Sequence, residues 1–315
     1  MEPSFKKYWR DYKWSNIFEM VRNSFKKPKV CSDPFKGFVV ITGATSGIGY
    51  QTARKYASFG AKLLTINRNK EKSESLCKEL KDEFGAECSY IIADLSKLED
   101  IKRVAKELSS INSDIDVLIH NAGIYLNRRV ITEDGIEITF VVNYLSNFII
   151  TYSLLDKFKL QKHGRIIFVS SEGYRFAAWG LKLDDINWEK RKYTGLGAYG
   201  SAKLAQILSM MIFDEQLKGT GVTINAMHPG FVRTATGRDN DAVYKFFKRN
   251  ILDRLASSPE VSAEALYYLG VSKEIEGVSG KFFNLTTIEE LAPPAKDREV
   301  ANDLWNLSLK LGGFV

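Results

Sequence analysis

Three cysteines and three histidines in 315 residues leave little material for disulfides or for a metal site. Cys31, Cys77 and Cys88 are odd in number and unrelated in spacing, with no CxxC pair, so reduced thiols are expected. His120, His163 and His228 lie far apart, and no metal site is expected. No run approaches the ~20 apolar residues of a membrane-spanning helix. The longest, residues 141–155, is interrupted by Asn143, Ser146 and Asn147 and predicts a buried helix. The N-terminus lacks the apolar core and small-residue site of a secretory signal, so a cytoplasmic chain that is not secreted is expected.

The net charge of +7 is unevenly placed. Residues 1–36 hold nine Lys and Arg against four Asp and Glu, which leaves the remainder close to neutral and argues against nucleic acid as a partner. In this leader Phe5, Tyr8, Trp9, Tyr12, Trp14, Phe18 and Phe25 interleave with Lys6, Lys7, Arg10, Lys13, Arg22, Lys26 and Lys27. Such a mixture suits peripheral membrane contact through residues 1–30. It equally suits an arm that packs its aromatics on its own domain or on a second subunit.

From Gly37 short β-branched runs alternate with amphipathic stretches. Strands are predicted at residues 38–42, 62–67, 89–93, 117–121, 165–170, 223–228 and 281–284. Helices are predicted near 48–59, 70–84, 97–110, 133–159, 198–218 and 259–269. This alternation predicts an α/β fold: a single domain over 37–315 with a mainly parallel seven-stranded sheet and helices on both faces. Two stretches, near 172–197 and 234–258, are longer than a connection requires. Both leave the carboxyl end of a strand, where open parallel sheets bind ligands, and are expected to be substrate loops.

The first strand runs into Gly43-Ala44-Thr45-Ser46-Gly47-Ile48-Gly49 and then a helix. Gly43 suits a tight turn, Gly47 the approach of a pyrophosphate, and Gly49 close packing of helix on strand. Free amides at the helix start then bind phosphate, so the loop reads as a Rossmann-type, doubly wound dinucleotide site. The second strand ends in Asn67-Arg68-Asn69-Lys70, with no carboxylate for a ribose 2′-hydroxyl. Asn67 does not repel a 2′-phosphate and Arg68 can pair with it, which favours NADP(H) over NAD(H).

Tyr199 and Lys203 are four apart and share one helix face. A tyrosine titrates near ~10, and a nearby ammonium favours the phenolate and suits the tyrosine to proton transfer. Ser170 and Ser171 end the fifth strand, where a hydroxyl can bond a substrate oxygen. Asn121-Ala122-Gly123 ends the fourth, leaving room for a cofactor. Asn143 interrupts an apolar helix and is either a core residue bonded to backbone or a break that holds a water near Lys203.

Together these segments resemble the short-chain dehydrogenase/reductase family over most of residues 37–290. The resemblance rests on the loop Thr42 to Gly49, Asp94-Leu95 beside the adenine, Asn121 to Gly123, Asn143, Ser170-Ser171, Tyr199 to Lys203, and the Pro229-Gly230 turn with Val232 and Thr234. It implies a catalytic set of Asn143, Ser171, Tyr199 and Lys203. The Ser171–Tyr199 spacing, the run His228 to Thr234 and the stretch Glu276 to Phe283 further resemble the retinol dehydrogenase-like branch. That branch implies NADP(H), lipophilic alcohols and aldehydes, membrane attachment and, for the wider family, a homodimer paired through the helix carrying Tyr199. The expected activity is interconversion of an alcohol and an aldehyde or ketone, with Tyr199 as general acid/base. Aromatic and apolar residues of the two loops (Tyr174, Phe176, Trp179 and Leu181; Phe231, Tyr244, Phe246, Phe247 and Ile251) suit a retinoid-, steroid- or lipid-like substrate, or lid packing, or a dimer contact. The alternative is a non-catalytic NADP(H)-binding scaffold or a membrane-peripheral interaction protein.

Overall fold

The computed structural model describes residues 7–13, 18–20, 22–23, 26–230 and 258–315. Val232 and Thr234, the lid residues from Phe231 to Ile251, and Phe5, Lys6, Trp14 and Phe25 of the leader lie outside the described residues.

Strands β1 (Phe38–Thr42), β2 (Lys62–Asn67), β3 (Cys88–Ile92), β4 (Val117–His120), β5 (Gly164–Val169), β6 (Val222–His228), β7 (Phe282–Asn284) and β8 (Thr287–Ile288) form one sheet in the order β3-β2-β1-β4-β5-β6-β7-β8. Seven run parallel. The eighth corrects the expected count: β8 folds back antiparallel on β7, pairing Phe283 with Ile288 and Asn284 with Thr287. Two residues are too few for an alternating pattern to register, and the reversal passes through Leu285 at a positive φ of 53°.

Helices α1 (Gly47–Ser58), α2 (Lys70–Phe84), α3 (Leu98–Ser110), α4 (Ile138–Ser153), α5 (Leu155–Gln161), α6 (Gly195–Leu217), α7 (Pro259–Val271) and α8 (Arg298–Gly312) cover both faces. Period-2 alternation divides the strands between two cores. Val40, Leu64, Leu118 and Phe168 meet Val104 of α3, Phe148 of α4, Leu208 of α6 and Leu304 of α8. Val39, Ile41, Ile119 and Val169 meet Ala53 of α1, Leu76 of α2 and Leu266 of α7. Each such fully buried aliphatic side chain contributes about 1.5–3 kcal/mol.

The long helix expected from residue 133 starts at Ile138. Residues 132–135 close a turn instead, with the Gly135 amide on the Thr132 carbonyl at 3.0 Å, and Glu137 caps the helix by accepting from the Phe140 amide at 2.9 Å. Within α4, Val141–Leu145 widens into a π-helical turn. Among the described residues no single helix is long and apolar enough to cross a membrane. The pair α4 and α5 passes by length and composition, but it bends by 49° and its apolar residues fill the core.

The described part of the leader packs on the domain that follows it. Tyr8 is 5% exposed and donates its hydroxyl to Asp297 at 2.6 Å, while Tyr12 donates to the Ala178 carbonyl at 3.0 Å. The Lys29 amide donates to Thr286 Oγ1 at 2.8 Å. Trp9 and Phe18 remain exposed.

Candidate active site

The site lies at the carboxyl edge of the sheet, where chain connections from β1 and β4 diverge. Thr42, fully buried at the end of β1, accepts the amides of Asn121 and Ala122 on its Oγ1, both at 2.9 Å. Asn121 returns its Nδ2 to the carbonyls of Thr42 and Gly43, both at 3.0 Å. The ends of β1 and β4 are thereby joined, and the glycine loop is fixed above them. Gly43 sits at φ +70°, and a Cβ there would press on the Ala122 backbone at 3.0 Å. A Cβ on Gly49 would run into the Gly43 carbonyl and the Asn121 amide, so the start of α1 lies directly under the loop.

Ser46 precedes α1 in extended conformation, exposed, with its hydroxyl not used as a cap. The first-turn amides of Gly47, Ile48 and Gly49 and the hydroxyls of Thr45 and Ser46 are thus placed for an anion. Asn67 is buried and holds the loop from below: its Oδ1 accepts from the Ala44 amide at 2.8 Å and its Nδ2 donates to Thr65 at 2.9 Å. Arg68, next to it, is exposed, and no hydrogen bond or ion pair engages it among the described residues. Asp94, half-buried, accepts on Oδ1 from the amide and hydroxyl of Ser96 at 3.0 and 2.8 Å, and Leu95 belongs to the core. These groups fit a dinucleotide laid across the loop.

Beyond it, the Gly123 backbone lies close to Asn143 and Lys203: a Cβ there would come to 3.3 Å from Asn143 Oδ1 and 3.9 Å from Lys203 Nζ. Asn143 lies in the π-helical turn of α4. It binds the Ile124 amide through Oδ1 at 2.7 Å and the Ile124 carbonyl through Nδ2 at 2.9 Å. Its own carbonyl accepts from Asn147 at 3.1 Å. The wider turn therefore lets one asparagine clamp the chain just past β4.

Tyr199 and Lys203 stand in the first turns of α6, which begins three residues earlier than expected because Thr194 caps it on the Gly197 amide. Of the two serines, Ser170 is buried and turned to the Lys203 carbonyl at 3.4 Å. Ser171 faces Tyr199: a Cβ on Gly173 would touch both the Tyr199 ring and Ser171 Oγ. Burial pushes the Tyr199 phenol up, and the hydrogen bond from Ser171 draws it back. Lys203 is buried and donates to the Val169 carbonyl at 2.8 Å, with Nζ 5.6 Å from the Tyr199 ring centre. Burial pushes its ammonium down to about 7. Burial dominates both groups, and the expected lowering of the tyrosine by the lysine is not what governs this arrangement.

Pro229 and Gly230 follow β6; the Pro229 carbonyl accepts from Ser262 at 2.6 Å and Gly230 has φ +79°. Tyr125 packs edge-on against Tyr199 at 5.9 Å, a neighbour that sequence reasoning did not single out. Thr42 was legible only as part of the loop, although a polar residue ending an apolar strand is itself a signal. Of the expected loop aromatics, Tyr174 is buried and accepts from the Ala292 amide, whereas Phe176 and Trp179 are exposed. Phe176 lies against Gly200, next to Tyr199.

The family model for short chain dehydrogenase matches residues 37–180. Human retinol dehydrogenase 13 is 38% identical over 281 residues, covering 88% of this chain and 84% of that protein. Human retinol dehydrogenase 14 is 35% identical over 302 residues, covering 88% and 86%. A solved structure described as a candidate NAD(P)-dependent gluconate 5-dehydrogenase from Beutenbergia cavernae, with NADP bound at low occupancy, superposes with a TM-score of 0.61 at 25% identity, covering 80% of this chain and 95% of that one. With this extent of identity, and with the glycine loop, the serine pair and the tyrosine–lysine helix meeting at one sheet edge, the chain belongs to the short-chain dehydrogenase/reductase family of oxidoreductases, in its retinol dehydrogenase-like branch.

Proposed function

We propose that the protein interconverts a lipophilic alcohol and its aldehyde or ketone with NADP(H) as cofactor. The observation that carries this reading is the meeting of Ser171 with the Tyr199 ring, with Lys203 Nζ 5.6 Å from that ring and close to Gly123. The bound nicotinamide supplies or accepts the hydride. In reduction, Ser171 holds the carbonyl oxygen and Tyr199 gives it a proton. Burial keeps the phenol protonated and ready to donate. Lys203, titrating near neutrality, re-supplies the proton and takes hold of the cofactor ribose. Asn143 fixes the chain past β4 so that the floor of the site does not move. In oxidation the same proton returns.

The NADP(H) preference is supported by exposed Arg68 and by the absence of a carboxylate at the end of β2. A lipophilic substrate is supported by Tyr125 edge-on against Tyr199 and by exposed Phe176 against Gly200. Peripheral membrane contact is supported by exposed Trp9 and Phe18 in the basic leader, and sedimentation of the full chain with anionic vesicles, against a chain starting at Asp33, tests it.

The function is tested by NADPH consumption with aldehydes and ketones of rising chain length, NADH run in parallel. Tyr199→Phe is expected to lower kcat by at least ~10²-fold while NADPH binding stays within about twofold. An unchanged kcat in this variant overturns the assignment. Tight NADPH binding with no turnover on any carbonyl would favour a binding scaffold.

A further inference from the structure

Immediately after Ser171 the chain buries a carboxyl for which the chemistry above has no use. Glu172 and Arg175 lie on the 3-10 turn Glu172–Ala177, and Glu289 follows β8, with side-chain exposures of 9%, 16% and 0%. Arg175 Nε binds Glu172 Oε2 at 2.5 Å, and its Nη2 binds Glu289 Oε1 at 3.1 Å. Glu289 Oε2 accepts from Asn284 Nδ2 at 3.1 Å and from Asn23 Nδ2 of the leader at 3.1 Å. Three of the four carboxyl oxygens thus have donors. The fourth, Glu172 Oε1, is buried and has no donor among the described residues. One guanidinium holds both carboxyl groups, Glu172 on Nε and Glu289 on Nη2, which brings them side by side. A carboxylate only accepts, so a buried oxygen without a donor beside a second carboxyl calls for a proton between the two.

The charge balance agrees. Two carboxylates against one guanidinium leave a buried charge of −1, and one proton makes the cluster neutral. Among the described residues, the other titratable groups facing it supply no second buried cation. His228 is held neutral by burial, its pKa pushed down to about 4. The phenols of Tyr174 and Tyr12 are raised by burial. Glu290 feels Arg175 and Lys13 but pairs with Lys296 at the surface.

We infer that Glu172 and Glu289 share one proton at neutral pH and, with Arg175, form a clasp holding Asn23 of the leader against the turn that leaves Ser171, which makes Glu172 a positioning residue for Ser171. Only the consequence for Ser171 rests on the oxidoreductase reading; the proton and the hold on the leader do not. Loss of the proton leaves a buried net charge and opens the clasp. Burial pushes Glu172 up to about 8, so opening falls just above neutrality.

The test uses the full chain and compares wild type with Glu172→Gln and Glu289→Gln, each of which dispenses with the shared proton. In wild type, an infrared band of a protonated carboxyl is present at neutral pH and disappears as pH passes about 8; both variants lack it. The folded protein keeps a proton that unfolded Glu172 releases near 4.5. The unfolding constant of wild type relative to Glu172→Gln therefore rises about tenfold per pH unit between about 5 and about 8, and is flat above. Hydrogen exchange in peptides covering residues 18–30 and 171–178, corrected for intrinsic rate, accelerates above pH 8 in wild type and not in Glu172→Gln. In turnover assays kcat, but not KM, loses an alkaline limb in that variant. Parallel unfolding curves, or an infrared band indifferent to both substitutions, overturn the inference. A variant that does not fold leaves the other variant and the wild-type titration to decide. Failure of these folding and spectroscopic arms in an active enzyme overturns the clasp alone; an inactive protein that passes them overturns only the proposed reaction.

Discussion

Lys203 brings an amino group into a place where its charge is opposed by burial and met by one backbone carbonyl. Its folded pKa of about 7 lies below its ordinary 10.5. Between those values the unfolded chain binds a proton that the folded chain has given up, so stability rises with pH across that window, at ~1.4 kcal/mol per unit in its middle. Lys203→Met should flatten that limb: urea midpoints exceed wild type at pH 7 and converge with it toward pH 10. Arg68 makes the opposite case of a cation with no described partner. Arg68→Ala is expected to raise the Kd for NADPH by ~10–100-fold, the worth of one charge-assisted hydrogen bond to phosphate, with little change for NADH; titration of both cofactors by fluorescence reads it. Asn67 shows how far a single residue can be read. Distance from the glycine loop located the position, but its bond to the Ala44 amide depends on how the loop returns over β2, which no local pattern encodes.

At the scale of elements, the junction of β1 and β4 carries the site. Thr42 gives one oxygen to two amides there. Thr42→Val keeps the volume and leaves both amides unpaired, so a loss of about 2–6 kcal/mol is expected by urea unfolding, each stranded donor costing ~1–3 kcal/mol. Cofactor affinity should weaken with it, since Asn121 and Gly43 share the junction. The strands feeding this edge were legible because each is an apolar run bounded by polar or glycine residues. The π-helical turn at Val141–Leu145 was legible only as a polar residue in an apolar helix; the partner of that residue, the Ile124 backbone just past β4, is fixed by the tertiary fold and by no local pattern. β8 was not legible at all, being held by its pairing to β7 rather than by its own pattern.

For the whole molecule, the leader is the part whose role composition left open. The described residues answer half of the question: Tyr8, Tyr12, Asn23 and Lys29 bond to Asp297, Ala178, Glu289 and Thr286. A chain starting at Asp33 loses all four contacts and leaves Glu289 with one donor fewer. It is expected to be less stable by at least ~3 kcal/mol, since hydrogen bonds to charged groups contribute ~1.5–3 kcal/mol each, with the urea midpoint as the measurement. The uneven charge was visible in the sequence, but the docking partners were not, because they lie about 170–290 residues away along the chain.

That separation has a consequence for synthesis. Most of the leader's seat, built from β7, β8 and the start of α8, leaves the ribosome long after the leader does. At ~5–20 residues per second, translation takes on the order of 15–60 s. Until then a basic, aromatic segment has only the Ala178 carbonyl of its four contacts to meet and is free to engage chaperones, nascent neighbours or anionic surfaces. The leader seats fully only once β7, β8 and the start of α8 have emerged.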